Sequence, residues 1–311
     1  MRPVNFDQLA EQLRNWGRWG EADQRGTLNH IGAETLKSAA AEVRAGKLFN
    51  LGLRFDREGP QLGRGRFNPM VYATDLFTPL NPAVPGVCYS DDVIHMPLQS
   101  ATQWDALAHV HYDGQLYNGC SARECLTEKG ALKLGINHLA APGIMSRGVL
   151  LDIARLKGVE RLPLDYAITV DDLNACAAKQ GVSMAAGDIL LVRTGHMQRF
   201  TRDQDRAAFM GLQPGLSYTC AEWCHDKSLA AVGADNMAVE ILHPEGLQSD
   251  MPLAFHMLAL RDMGMPLGEM FNLEALAADC AQDGRYAFML SAPPLEVTNG
   301  FGSPVNPLAL K

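Results

Sequence analysis

The sequence predicts a mixed α/β domain in which helices cover a sheet that curls toward a barrel, and three observations predict it. From Lys47 to about Gln103, short apolar runs (LFNLGLRF, MVYATDLF, VIHMPLQ) alternate with Gly, Pro and Asp clusters, the pattern of strands and turns. The second half alternates buried-strand runs with capped helices. No repeat, low-complexity tract or linker divides the 311 residues, so one domain spans 1–311, with an N-terminal helical extension over about 1–46.

The elements follow in order. Residues 5 to 14 place Phe6, Leu9, Ala10 and Leu13 at helical spacing, and 33 to 45 form a second helix that stops at Gly46. After the strand-rich stretch, GVLLDI (148–153) and DILLVRT (188–194) read as buried strands. Between them, TVDDLNACAAKQG carries a capping box from Thr169 to Asp172 and a terminal Gly181. A helix near 219–226 leads into the strand LAAVGADN. Residues 250–263 start with an Asp cap and an early Pro, run helically and end at Gly264. A helix near 272–281 precedes the strand YAFMLSAP.

Composition narrows the function classes. With 47% hydrophobic and 20% charged residues the chain is an ordinary globular protein, and its formal charge of -8 without clustered Lys or Arg argues against nucleic acid. A small-molecule partner is expected instead. No secretory h-region opens the chain and no window approaches a membrane span, so a cytoplasmic protein is expected. Seven cysteines without a CxxC pair imply free, buried thiols. Cys220, Cys224 and His225 lack a fourth ligand and lie on an amphipathic helix, so they are not read as a metal clip.

One stretch carries the chemistry. In QSATQWDALAHVH, residues 99–111, Gln99, Gln103, Asp105, His109 and His111 all fall at odd positions, hence on one face of an extended strand. A straight strand from 99 to 109 would span roughly 33 Å, too long for a shared site. If the chain tightens after Trp104, Asp105 and His109 become i,i+4 neighbours and focus a carboxylate and an imidazole on one point.

The run resembles the signature of the cyclase-family metal hydrolases, which include kynurenine formamidase and isatin hydrolase. There, His-x-Gly-Thr-His-x-Asp-x-Pro-x-His supplies metal ligands and a catalytic histidine. Here Thr102, Asp105 and His109 hold their places, and Gln99 and Gln103 stand where two histidines would bind metal. The resemblance continues in GAD (233–235), His256, Glu269 thirteen residues later, and the closing GFGSPVNPLAL. The Gln-Trp-Asp form is similar to a longer branch that contains trans-dienelactone hydrolase.

The resemblance implies a cyclase-like swivelling β/β/α fold, and Asp105, His256 and Glu269 as ligands of Zn²⁺ or Mn²⁺, with Gln99 and Gln103 as weaker amide donors that His95 or His111 would supplement. A bound ion would acidify water and polarise a carbonyl. His109 would then pass a proton to the leaving group, and a lactone, cyclic amide or related amide or ester would open. Trp104 and Trp19 (with Trp16) would wall the pocket, and a homo-oligomer is implied by resemblance alone. The competing reading is a metal-free ligand-binding or assembly protein on the same scaffold. No Gly-x-Ser-x-Gly elbow supports a serine hydrolase, GRGRF at 63–67 is too short for a nucleotide loop, and Cys120 and Cys125 lack a designated base.

Overall fold

In the computed structural model, residues 5–63, 65–84, 86–243, 251 and 253–311 are described. Eleven of the strands among them are three residues or longer: β1 (Leu48–Asn50), β2 (Met70–Pro79), β3 (Cys88–His95), β4 (Gln103–Asp105), β5 (Met145–Asp152), β6 (Ile189–Arg193), β7 (Ala231–Ala234), β8 (Leu267–Glu269), β9 (Ala287–Ser291), β10 (Gly302–Pro304) and β11 (Leu308–Leu310). Nine form one curled mixed sheet in the order β1-β11-β9-β5-β6-β7-β8-β4-β10. Its centre, β5 to β8, is parallel, and every residue of β6, β7 and β8 is buried. Such strands read as unbroken apolar runs because helices and loops cover both faces.

The helices match their sequence signals closely. α1 (Phe6–Gln12) and α2 (Ala33–Ala41) come first, and α2 ends short of the expected boundary because the chain turns at Glu42 and swings into β1 through Gly46 at φ 65°. α3 (Val170–Gln180) has the expected capping box from Thr169 to Asp172 and stops at Gly181 in the left-handed conformation. α4 (Cys220–Asp226) precedes β7, and α6 (Glu274–Asp283) precedes β9. Between these last two lies α5, helical over Ala254–His256 and widened to a π-helix over Met257–Met263 before Gly264 ends it. The expected Asp250 cap and Pro252 lie outside the described residues. LFNLGLRF pairs only over its first three residues, since the chain leaves the sheet after Leu51.

Two features position the site. The N-terminal segment is stitched to α5 and to the start of β7: Asn15 donates its side-chain amide to the Met263 carbonyl and Trp16 to the Arg261 carbonyl of α5, and Thr27 donates to the Ala230 carbonyl just before β7. The short strand β4 lies antiparallel between β8 and the edge strand β10, so Gln103 faces Glu269, Trp104 faces Gly268, and Asp105 faces Gly302. β2 and β3 pair with each other, outside the main sheet. No helix of the described residues is long and apolar enough to cross a membrane.

Candidate metal centre

The alternation of β4 sets the site. Gln103 and Asp105 point to one face, and Glu269, opposite Gln103 on β8, joins them. After Asp105 the chain turns tightly, with the His109 amide donating to the Ala106 carbonyl, so the straight-strand geometry is avoided as the spacing required. His109 Nε2 stands 3.8 Å from Asp105 Oδ1. From α5, His256 enters with Nε2 at 3.6 Å from Asp105 Oδ2 and 3.3 Å from Glu269 Oε1. Asp105, His256 and Glu269 offer ligand atoms that all lie within 4.8 Å of one another. Their exposures are 0%, 2% and 4%, so two carboxylates and an imidazole share a site almost without water.

Two further groups shape this triad. Glu240 fixes His256: its carboxylate accepts from the imidazole Nδ1 at 2.6 Å and from the backbone amides of Phe255 and His256 at 3.0 and 2.8 Å. With Nδ1–H so engaged, Nε2 is the nitrogen turned toward Asp105 and Glu269, the arrangement that orients metal-bound histidines. Gln103 donates its amide nitrogen to Glu269 Oε2 at 2.7 Å and to Asp105 Oδ1 at 3.4 Å. The outer carboxylate oxygens are thus engaged, and Asp105 Oδ2 is buried without a hydrogen-bond partner. A buried orphan acceptor facing an imidazole nitrogen and a second carboxylate fits a cation.

The electrostatics agree. Burial and the neighbouring Asp105 push Glu269 up to about 7. Burial opposes ionisation of Asp105 as well, but the His109 and His256 charges hold it below its ordinary value. Burial works against a charged His256, yet the carboxylates of Asp105, Glu240 and Glu269 around it place it well above the usual imidazole value. The cluster therefore gathers positive charge, and a divalent ion would displace the proton on His256. Asp105 favours protonation of His109, but burial and the charges of His256 and Arg66 outweigh it and leave the ring below its usual value.

The remaining expected residues separate. Gln99 is partly buried and its side chain lies over Gly302, where a Cβ would meet its Nε2 at 2.8 Å, beside Asp105 but with no described bond to the triad. Trp104 does not wall a pocket. Period-two alternation turns it to the opposite face from Asp105, fully buried, packed over Gly268 and edge-on against Phe271, with its N–H on the Ala292 carbonyl. Trp19 sets its edge against His30 with Arg18 above it, so its described contacts lie with those residues rather than with the triad, and Trp16 donates to the Arg261 carbonyl beneath the Arg14 and Arg261 guanidiniums. His95 packs on Phe67 at the root of the β2–β3 hairpin, and His111 is exposed. Cys220 and Cys224 are buried free thiols.

Sequence reasoning passed over Glu240, which no motif spacing ties to His256. Its one signal is an acidic residue in an otherwise apolar run, AVEIL. It also left two matched residues without a role. Thr102 accepts from the Leu53 amide and donates to the Met270 carbonyl, locking β4 beside the residue after Glu269. Asp235 of the GAD run accepts from the Thr194 amide and hydroxyl and the Gly195 amide.

Comparison with known proteins accords with this geometry. A family model described as "Putative cyclase" matches residues 51–241. Isatin hydrolase of Roseibium aggregatum is 28% identical over 152 residues, 47% of this chain and 53% of that protein, so the chain spans about half the length of this curated relative in the match. A crystal structure described as a novel cyclase is 38% identical, superimposes with a TM-score of 0.86, and covers 96% of this chain and 100% of its own. An isatin hydrolase bound to the product analogue thioisatinate shares the fold, with a TM-score of 0.64 at 18% identity, over 90% of this chain and 99% of that one. The chain belongs to the putative cyclase family.

Proposed function

We propose that the protein is a metal-dependent hydrolase that opens a lactone, cyclic amide or related ester or amide, with Asp105, His256 and Glu269 holding one Mn²⁺ or Zn²⁺. The observation that carries this reading is the buried triad with the Glu240-oriented imidazole and the orphan Asp105 oxygen. Two carboxylates and one imidazole suit either ion. One ion is favoured over two because the Gln103 amide nitrogen already occupies the outer oxygens of both carboxylates. The relative named isatin hydrolase supports hydrolysis as the reaction type, and the Gln-Trp-Asp form supports a place beside the branch with trans-dienelactone hydrolase.

When bound, a divalent ion supplies the charge that acidifies water and polarises a carbonyl. This chain's residues supply the rest. Glu240 holds the imidazole of His256 in one tautomer, and Gln103 steadies both carboxylates. His109 is the partly exposed member, at 23% side-chain exposure, and its 3.8 Å from Asp105 is too long for a hydrogen bond, so its Nε2 is free to carry a proton to the leaving group. Arg66, whose charge acts on Asp105, His109 and Glu269, donates to the Gln99 carbonyl at 3.3 Å and adds a cation at the rim.

The test is metal analysis of the purified protein, then chelation and add-back of Mn²⁺ or Zn²⁺ while assaying lactones, cyclic imides and N-formyl compounds. Activity that disappears on chelation and returns with metal is expected. His109→Ala should keep the metal and lose roughly 10²–10⁴-fold in kcat. A chain that binds no divalent ion, and in which His109→Ala changes nothing, would leave the metal-free binding or assembly protein as the reading.

A further inference from the structure

A buried arginine joins the two sides of the metal centre. Arg261, 4% exposed, lies in the π-helical part of α5, where the i→i+5 pattern sets it one turn beyond His256. Its Nη1 donates to Asp262 Oδ1 on the same helix at 2.7 Å, and its Nη2 donates to Gln115 Oε1 at 2.8 Å. The guanidinium carbon stands 4.0 Å from the ring centroid of Tyr112 and 5.0 Å from that of Trp16. Tyr112 closes the circuit by donating its hydroxyl to Asp262 Oδ2 at 2.5 Å. Tyr112 and Gln115 follow His109 by three and six residues, and a turn holds them together, with the Gln115 amide on the Tyr112 carbonyl. One side chain on the helix of His256 therefore grips the loop of His109.

The N-terminal segment braces the helix end that carries this arginine. The last carbonyls of a helix have no partners within it. Here four in succession are served by Asn15, Trp16 and Thr27: Arg261 accepts from the Trp16 indole, Asp262 from the Asn15 amide, Met263 from the Asn15 side chain and Gly264 from the Thr27 amide, all at 2.8–2.9 Å. Stability alone does not call for a buried guanidinium, because well-packed apolar side chains of similar volume would join the segments as well. The guanidinium adds direction, since its N–H groups lie in one plane and fix the angles at which Gln115 and Asp262 approach. We propose that Arg261 is a positioning residue that sets the imidazole of His109 against the His256 side of the metal centre, with residues 15–27 as its brace. For its effect on turnover this role rests on the hydrolase reading; for the placing of His109 it does not.

Gln115→Leu cuts the arginine from the loop and leaves the helix whole. Arg261→Met removes the guanidinium, and Tyr112 with Arg14, at 3.7 Å, remains beside the buried Asp262 carboxylate. In the metal-loaded chain, with any lactone, cyclic imide or N-formyl compound that wild type hydrolyses, both variants should lose roughly 10²-fold in kcat while KM and metal Kd stay within about threefold. Arg261→Ala should regain part of its kcat with guanidinium chloride and none with sodium chloride at the same concentration. In the ¹⁵N-labelled metal-free chain, the His109 imidazole resonances, assigned with His109→Gln, should shift or broaden in Gln115→Leu while those of His196 stay in place. A kcat in Gln115→Leu close to that of wild type, a metal affinity that falls as far as kcat, or unshifted His109 resonances would each overturn the proposal. Shifted His109 resonances in a chain whose wild type hydrolyses none of these compounds would uphold the placing of His109 and refute the hydrolase reading instead.

Discussion

Glu240→Gln isolates the tautomer argument. Wild-type Glu240 accepts from three N–H groups, the His256 imidazole and the amides of Phe255 and His256. Glutamine keeps one acceptor oxygen, and its amide nitrogen turned toward Nδ1–H would set donor against donor. The imidazole then moves its proton to Nε2, the nitrogen facing Asp105 and Glu269, or tilts away. Losing such an orienting partner lowers metal affinity about 10–100-fold, or about 1.4–2.8 kcal/mol, and the unsatisfied buried groups destabilise the fold by about 1–3 kcal/mol. Competition titration with a chromogenic chelator reads the first quantity and urea denaturation of the metal-free chain reads the second. A variant that binds Mn²⁺ or Zn²⁺ within twofold of wild type would refute the claim that Glu240 prepares His256 for an ion.

The other predictions address the frame around the site. Trp104→Phe should lower stability by about 1–3 kcal/mol, since it removes the bond to the Ala292 carbonyl and part of the packing on Gly268 and Phe271, and should leave KM unchanged; a changed KM with unchanged stability would return Trp104 to the pocket. Thr102→Val strands the Leu53 amide and frees the Met270 carbonyl, so it should cost about 1–3 kcal/mol in denaturation and weaken the metal through Glu269. His196 is buried, its Nε2–H donates to the Phe209 carbonyl, and burial pushes its pKa down to about 4 from 6.5. The unfolded chain therefore takes up a proton first. The stability this neutral ring contributes is complete above pH 6.5 and is lost as pH falls toward 4, by about 2 kcal/mol at pH 5. His196→Gln should flatten that acid limb, and an unaltered limb would contradict the assignment.

Much of the fold was legible because the elements that make it obey local rules. The capping box at Thr169, the stops at Gly181 and Gly264, and the apolar runs of β5, β6 and β9 each depend on residues adjacent in sequence. The metal triad was legible in part by resemblance, and the odd-position pattern rightly put Gln103 and Asp105 on one face. The same alternation should have turned Trp104 away from the site. Glu240 was not legible because a side chain that orients another is defined by three-dimensional proximity alone, across sixteen residues and a change of element. The π-helix after His256 and the exposed strand β3 likewise have no period that separates them from an ordinary helix or strand.

The central claim is that Asp105, His256 and Glu269 converge on a cation. Anomalous diffraction from crystals grown with Mn²⁺ or Zn²⁺, recorded on both sides of the metal absorption edge, tests it most directly. One peak at about 2.0–2.3 Å from Asp105 Oδ2, His256 Nε2 and a Glu269 oxygen is predicted, with His256 Nδ1 still bonded to Glu240. A map with no peak there, or with the metal held by other residues while the triad stays closed on itself, would contradict it.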